Sequence, residues 1–262
     1  MYLSQKQIDD YQNLGAIIIK GAFKDWIEPL RDGFQKVLDN PSQHGRENVN
    51  ENEGRFFEDY CNWERIKEFK DCMFNSPAGQ IVAEATNSKS IQIFHDHLFI
   101  KDPGTNKETP WHQDMPYYCV DGNDTGSFWI PLDEVNKENN LKLILRSHKW
   151  QKLLRPTKWS NDQPWYEDDS SFMSLPKKEE FEEDILVPDL KLGDAVLFNF
   201  KTVHGSTGNQ SSQSRRAFSM RFIGDDVTFT ERGGPTSPPF DGINLKSGDQ
   251  MREDWFPKVF SN

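Results

Sequence analysis

The spacing of apolar residues changes character near residue 90. Before that point apolar side chains recur three and four apart, the period of a helix with one buried face. Ser4 and Gln7 form a capping-box pair ahead of the stripe Ile8, Tyr11 and Leu14, and Gly15 ends that helix. The run Ala16-Ile17-Ile18-Ile19 reads as a buried strand. A second helix begins near Asp25, holds Pro29 in its first turn and carries Ile27, Leu30, Phe34, Val37 and Leu38. Residues 40–55 are polar and broken by Pro41, Gly45 and Gly54, so they read as a loop. Trp63, Ile66, Phe69 and Met73 predict a third helix. Ser76-Pro77 opens a fourth, through Ile81, Val82 and Ala85.

From residue 90 the apolar residues come in short blocks bounded by turn residues. Strands are predicted at 91–101, 126–132, 141–145, 185–191, 195–200 and 217–223. Many short strands after a helical start predict a mainly β fold with covering helices, built on a double-stranded β-helix, the cupin-like jelly roll of two packed sheets. The expected organisation is one domain over 1–262. Residues 1–89 are mostly helical and residues 90–225 form the jelly-roll core, with a polar insertion at 150–184. Residues 226–262, with "RGGPTSPPFDG", form an irregular C-terminal arm.

Composition narrows the function classes. The 262 residues suffice for a sizeable core, and the 19 Phe and 8 Trp argue against disorder. Thirty-one basic against 42 acidic residues give a formal charge of −11, which disfavours nucleic-acid binding. Cys61, Cys72 and Cys119 have no metal-type spacing, which fits a reducing compartment. No run approaches the roughly 18 apolar residues of a membrane span, and the start shows no signal-peptide pattern. The expectation is a cytoplasmic protein acting on a small molecule, without nucleic acid or membrane as partner and with its oligomeric state open.

The chemistry-bearing stretch is Trp111-His112-Gln113-Asp114. If it is strand, His112 and Asp114 leave the same face. They are two-thirds of a 2-His-1-carboxylate facial triad, the ligand set of non-heme Fe(II) oxygenases. His204, after the apolar run 195–200, is the best candidate for the second histidine. Arg215 follows it, and a planar guanidinium there can clamp a dicarboxylate such as 2-oxoglutarate. Which of Arg215 and Arg216 does so is a question of register. Arg215, Ala217, Ser219 and Arg221 make a polar, small-residue face. Arg216, Phe218, Met220 and Phe222 make one better suited to packing.

Taken together, "WHQD", "FWIPLDEV" with Trp129, "RSHKW", "VHGSTGN" and "RRAFS" resemble the phytanoyl-CoA dioxygenase family of Fe(II)- and 2-oxoglutarate-dependent oxygenases. The likeness runs from about residue 91 to 222, and "LGAIIIKGAF" near the start also resembles that family's opening. The resemblance implies iron held by His112, Asp114 and His204, with Arg215 on the far carboxylate of 2-oxoglutarate. Ser206 would add a hydrogen bond, and Trp129 would line the cosubstrate pocket. It implies hydroxylation of a small molecule, with 2-oxoglutarate and O2 converted to succinate and CO2. A carboxylate at 114, where related halogenases carry a small residue, points the same way. The sequence departs from the family pattern at Arg146, where glycine is usual, and at Glu138-Asn139-Asn140, in place of a Gly-rich turn. Both departures are expected near the site entrance.

Two other readings stand beside this one. His95 and His97 share a strand face and could ligate metal as in a cupin-type enzyme, although Glu108 is poorly placed to join them. A non-catalytic metal-binding jelly roll, a sensor or binding module, would use the same triad but would not need the Arg215 clamp. Candidate substrate-facing residues are Arg55, Phe56, Phe57, Gln113, Tyr117 and Tyr118. His148 is expected to be structural, and His44 carries no signal.

Overall fold

The computed structural model describes residues 1–48, 53–159, 163–167 and 170–262. Part of the polar 40–55 segment therefore lies outside the described residues. In chain order the elements begin with α1 (Gln5–Leu14), β1 (Ala16–Ile19), α2 (Ile27–Asp39), β2 (Arg46–Glu47) and β3 (Phe56–Tyr60). There follow α3 (Lys67–Asn75), α4 (Ala78–Thr86), β4 (Ser90–Lys101), β5 (Thr109–His112), β6 (Val120–Asp121) and β7 (Thr125–Pro131). The rest are β8 (Leu141–Ile144), β9 (Ile185–Leu186), β10 (Ala195–Phe198), β11 (His204–Ser206), β12 (Arg215–Ile223), β13 (Thr228–Phe229) and β14 (Lys258–Ser261).

The fold is mainly β, a jelly roll of two principal antiparallel sheets. The larger runs β1-β10-β7-β12-β4-β3-β2, with β14 also paired to β4, and the smaller runs β5-β11-β8-β9. Strand alternation divides the large sheet into two faces. On β12 the even residues Phe218, Met220 and Phe222 enter the main apolar core beneath the helices. There Phe69 of α3 packs on Phe218 with ring centroids 4.4 Å apart. The odd residues Arg215, Ser219 and Arg221 face the space between the sheets. Fully burying one such side chain contributes roughly 1.5–3 kcal/mol, so a one-residue slip that turned all three outward would cost more than the sheet could recover.

Several local expectations shift. The third helix starts at Lys67, so Trp63 and Ile66 pack just before it. Strand β3 was not foreseen: all five of its residues are buried, so no alternation marks it. Only residues 185 and 186 of the block 185–191 pair as strand. The C-terminal arm is not wholly irregular, because β14 pairs antiparallel with β4 through Lys258↔Gln92 and Phe260↔Ile91.

At the end of α1, Gly15 takes φ 80° and its N–H donates to the Tyr11 carbonyl. A Cβ there would lie 2.3 Å from His148 Nδ1 and 2.7 Å from Thr202 Oγ1. His148 donates from Nε2 to the Gln12 carbonyl at 3.2 Å, which gives it the structural role expected of it. Gly15→Ala should destabilise by the left-handed penalty of about 1–2 kcal/mol plus the cost of displacing His148 and Thr202. Gly248→Ala, at φ 95° with open space around it, should cost the backbone penalty alone. Chemical denaturation of both variants checks this, and equal losses would mean that the approach at Gly15 is not tight.

Candidate metal centre and cation socket

His112 ends β5 and His204 begins β11, and the two are direct partners in the antiparallel register. Their rings lie 4.2 Å apart. Each Nδ1 donates to a backbone carbonyl two residues earlier, His112 to Pro110 at 2.8 Å and His204 to Thr202 at 3.0 Å. These bonds fix the tautomer, so both Nε2 atoms present lone pairs to the same point. Asp114 does not lie on a strand as expected. The chain turns after His112, and Asp114 adopts φ −69°, ψ −45° ahead of a 3-10 turn. That turn still carries its Oδ1 to 3.7 Å from His112 Nε2 and 3.8 Å from His204 Nε2.

Burial holds both imidazoles below their ordinary pKa, His112 at about 3 with His204 adding to the effect. They are therefore neutral at neutral pH, as ligands must be. Burial opposes charge on Asp114, but Arg221 and the two imidazoles outweigh it and hold the carboxyl well below the usual carboxylate range. Two neutral nitrogens and one anionic oxygen, all within 4.8 Å of one another, fit a divalent transition metal. Ligand bonds of roughly 2.1 Å place neighbouring donors about 3 Å apart, within reach of small side-chain rotations here.

Arg221 is the main residue that the sequence reading did not assign. Its Nε donates to Asp114 Oδ2 at 3.1 Å, which leaves Oδ1 for a metal. Sequence gave one signal, its parity with Arg215 on the same strand face.

At the other end of β12 lies a buried cation socket. Arg215 is 3% exposed and donates from NH1 to the Asn139 carbonyl at 2.5 Å and from NH2 to Ser206 Oγ at 3.5 Å. Its Nε has no partner. Lys101, the cross-strand partner of Arg215, is fully buried and donates to Ser206 Oγ at 3.3 Å and the Thr207 carbonyl at 3.0 Å. Burial lowers the Arg215 pKa to about 10. Burial, with Arg215 beside it, lowers Lys101 well below its usual value. Two buried cations around one hydroxyl need an anion to offset their desolvation. Trp129, on β7, lines the same cavity. Arg216 points the other way and makes a two-pronged pair with Asp133, Nε to Oδ2 at 3.0 Å and NH2 to Oδ1 at 2.6 Å.

The triad, Arg215 and Ser206 line one cavity of about 620 Å³, with Lys101 behind Ser206 and outside the lining; the volume is well within the size range of small-molecule sites. Tyr117 and Tyr118 line it, and so do Thr157, Lys158, Trp159 and Trp165 of the polar insertion. Arg55, Phe56, Phe57 and Gln113 do not. Arg55 instead pairs with Glu47 and lies 4.6 Å over the Phe57 ring. Arg46, two strands from the socket, supplies the cavity's guanidinium on that side. Gln113 is spent on the backbone, donating to the Lys201 carbonyl and accepting from Leu154 N–H.

His95 and His97 do not form a cupin-type metal site. His97 Nε2 lies 3.2 Å from Glu58 Oε2, and among the described residues the only convergent His/Cys/Asp/Glu group is His112, Asp114 and His204. The two departures from the family pattern are also not at the entrance. Arg146 lies outside the cavity lining, holds the left-handed φ of 66° that suits glycine, and pairs with Asp184. Asn139 holds Arg215 from behind through its carbonyl, and Asn140 donates to the Pro188 carbonyl at 2.7 Å.

Known proteins share this architecture. The carbocyclase from nogalamycin biosynthesis, a non-heme alpha-ketoglutarate-dependent protein, superposes with a TM-score of 0.75 at 17% identity over 98% of this chain and 96% of its own. The epimerase from the same pathway, solved with Fe3+, alpha-ketoglutarate and nogalamycin RO, gives 0.78 at 14% identity over 97% and 98%. At these identities the likeness establishes the fold. A phytanoyl-CoA dioxygenase of Arabidopsis thaliana is 25% identical over 163 residues, 60% of this chain, and the match spans about half, 53%, of that relative's length. The family model described as phytanoyl-CoA dioxygenase matches residues 11–217, a span that begins in α1 and takes in both histidines, Asp114 and Arg215. The chain belongs to the phytanoyl-CoA dioxygenase family.

Proposed function

We propose that the protein is an Fe(II)- and 2-oxoglutarate-dependent dioxygenase that hydroxylates a small molecule. The observation that carries this reading is the pairing, in one cavity, of a buried His-Asp-His cluster with buried Arg215 and Ser206, backed by Lys101; among the described residues neither cation makes an ion pair. A metal-binding sensor would need the first and not the second. His112, His204 and Asp114 would hold the iron, and Arg215, Lys101 and Ser206 the far carboxylate of 2-oxoglutarate. When bound, iron and the 2-oxo acid supply the oxidising chemistry, with O2 consumed and succinate and CO2 released. Asp114 occupies the place a halide would need, which favours hydroxylation.

The protein's own residues supply position and shelter. The Nδ1 donations of the two histidines keep Nε2 free for metal, and Arg221 keeps Asp114 ionised and turned. Thr157, Lys158, Trp159 and Trp165 line the cavity, so these residues serve as a cover that limits water. A cytoplasmic setting fits the three free thiols, and no helix among the described residues is long and apolar enough to cross a membrane.

His112→Ala and His204→Ala should each abolish turnover and stoichiometric iron binding while the protein stays folded. Asp114→Ala should lose turnover and keep weak iron binding through the two histidines. Iron content after gel filtration, with succinate formation in the presence of ascorbate, reads both properties. Near-normal activity with stoichiometric iron in any of the three removes that residue from the centre.

Arg215→Ala should weaken 2-oxoglutarate binding by roughly ten- to a hundredfold, since a hydrogen bond to a charged group contributes about 1.5–3 kcal/mol. Arg215→Lys should recover only part, because an ammonium cannot present the planar fork. Arg216→Ala should stay within a few-fold of the parent. Titrating 2-oxoglutarate into anaerobic Fe(II) protein and following the charge-transfer absorption measures all three. A critical Arg216 with a silent Arg215 would contradict the assignment.

A further inference from the structure

The end of the cavity opposite the cation socket holds polar atoms that neither metal nor cosubstrate explains. Arg221 and His95 are direct cross-strand partners on β12 and β4, and both face the cavity. Arg221 is 3% exposed and His95 2%. Arg221 spends Nε on Asp114, and its NH1 is buried without a partner. His95 spends Nδ1 on the Asp96 carbonyl at 3.0 Å, and its Nε2 is likewise buried without a partner. Ser127, the partner of Arg221 on the other side, adds a third unpaired buried atom, its Oγ, to the same row. Unsatisfied buried groups cost about 1–3 kcal/mol each, so a row of them beside a metal centre calls for a ligand.

The two atoms have opposite character. A carbonyl only accepts, so His95 Nδ1 carries the proton and Nε2 of the neutral ring presents a lone pair. Burial first, and then Arg221, keep this imidazole neutral. Arg221 NH1 only donates. The group that satisfies both must accept and donate at once. An alcohol does so, taking a hydrogen bond from Arg221 and giving its own proton to His95. A carboxylate pairs with Arg221 but sets a second lone pair against Nε2. An ether accepts and has nothing to give. Tyr60 and Tyr118 stand edge-on to the His95 ring at 6.4 and 5.1 Å, and Tyr117, Trp159 and Trp165 also line the cavity, which suits a flat apolar body.

We propose that Arg221 and His95 form the specificity subsite for the primary substrate, and that the substrate is a neutral ring-bearing alcohol whose hydroxyl bridges these two side chains. This rests on the oxygenase reading for the word substrate. The subsite itself requires neither iron nor 2-oxoglutarate, and that makes the two separable.

The test uses three probes on the full-length protein: 2-naphthylmethanol, its methyl ether and 2-naphthoate. Calorimetry is run on metal-free protein and, anaerobically, on protein with Fe(II) and 2-oxoglutarate. The alcohol should bind roughly three- to tenfold tighter than either analogue, the range expected for one neutral hydrogen bond. His95→Phe, which keeps the ring and removes the acceptor, should abolish the preference. His95→Gln, which restores an acceptor, should recover part of it and also serves if His95→Phe fails to fold. Both variants should bind 2-oxoglutarate as the parent does, since His95 lies away from Arg215. Arg221 is left intact because it also orients Asp114. Equal binding of the probes, tightest binding of the naphthoate, no saturable binding of the alcohol, or a preference that survives in both His95 variants overturns the proposal. If parent protein fails to bind 2-oxoglutarate, the oxygenase reading falls, while the metal-free titrations still decide the subsite.

Discussion

The structure depends on the register of β12. That strand lies between β7 and β4 in the middle of the large sheet, and its alternation assigns each side chain to one of two incompatible environments. Phe218, Met220 and Phe222 go to the helix-covered core. Arg215, Ser219 and Arg221 go to the cavity. The apolar side enforces the polar side: burying three large side chains stabilises by several kcal/mol, and this register fixes both guanidinium groups on the opposite face. Function is thus positioned by packing that never touches it.

The same rows explain how distant parts of the chain meet. Arg215 pairs with Lys101, Ser219 with His97 and Arg221 with His95, so β4 repeats the polar face of β12 residue by residue. Trp129 joins through its register with Ser219. The small sheet contributes the other wall, where β5 and β11 set His112 against His204. Among the described residues the cavity is polar at both ends for different reasons: a guanidinium without an ion pair at one end, and a donor and an acceptor without partners at the other.

Much of this was legible in the sequence because it follows from periodicity and spacing. The Arg215 parity needed only the alternation of 215–222, and the helices needed only the 3.6-residue stripes and caps at Ser4 and Gly15. What escaped was set by tertiary contact. Strand β3 is buried at every position and shows no period. Asp114 reaches the histidines from a turn and not along a strand, a geometry no two-residue rule predicts. Lys101 and Arg221 read as ordinary charges until the register pairs them with Arg215 and His95. Arg55 reads as a substrate-facing cation, and only the fold shows it stacked on Phe57, with Arg46 at the cavity instead. The departure at Arg146 is expected near the site entrance, yet it is a left-handed turn residue outside the cavity lining.

The central claim is that one cavity holds a metal at His112, Asp114 and His204 and a dicarboxylate at Arg215, Lys101 and Ser206. Crystals grown anaerobically with Fe(II) and 2-oxoglutarate, measured at the iron absorption edge, test it directly. The account predicts a single anomalous peak between the two Nε2 atoms and Asp114 Oδ1, with the far carboxylate of 2-oxoglutarate against Arg215 and Lys101. Iron at His95 and His97, or 2-oxoglutarate bound away from Arg215, would contradict it.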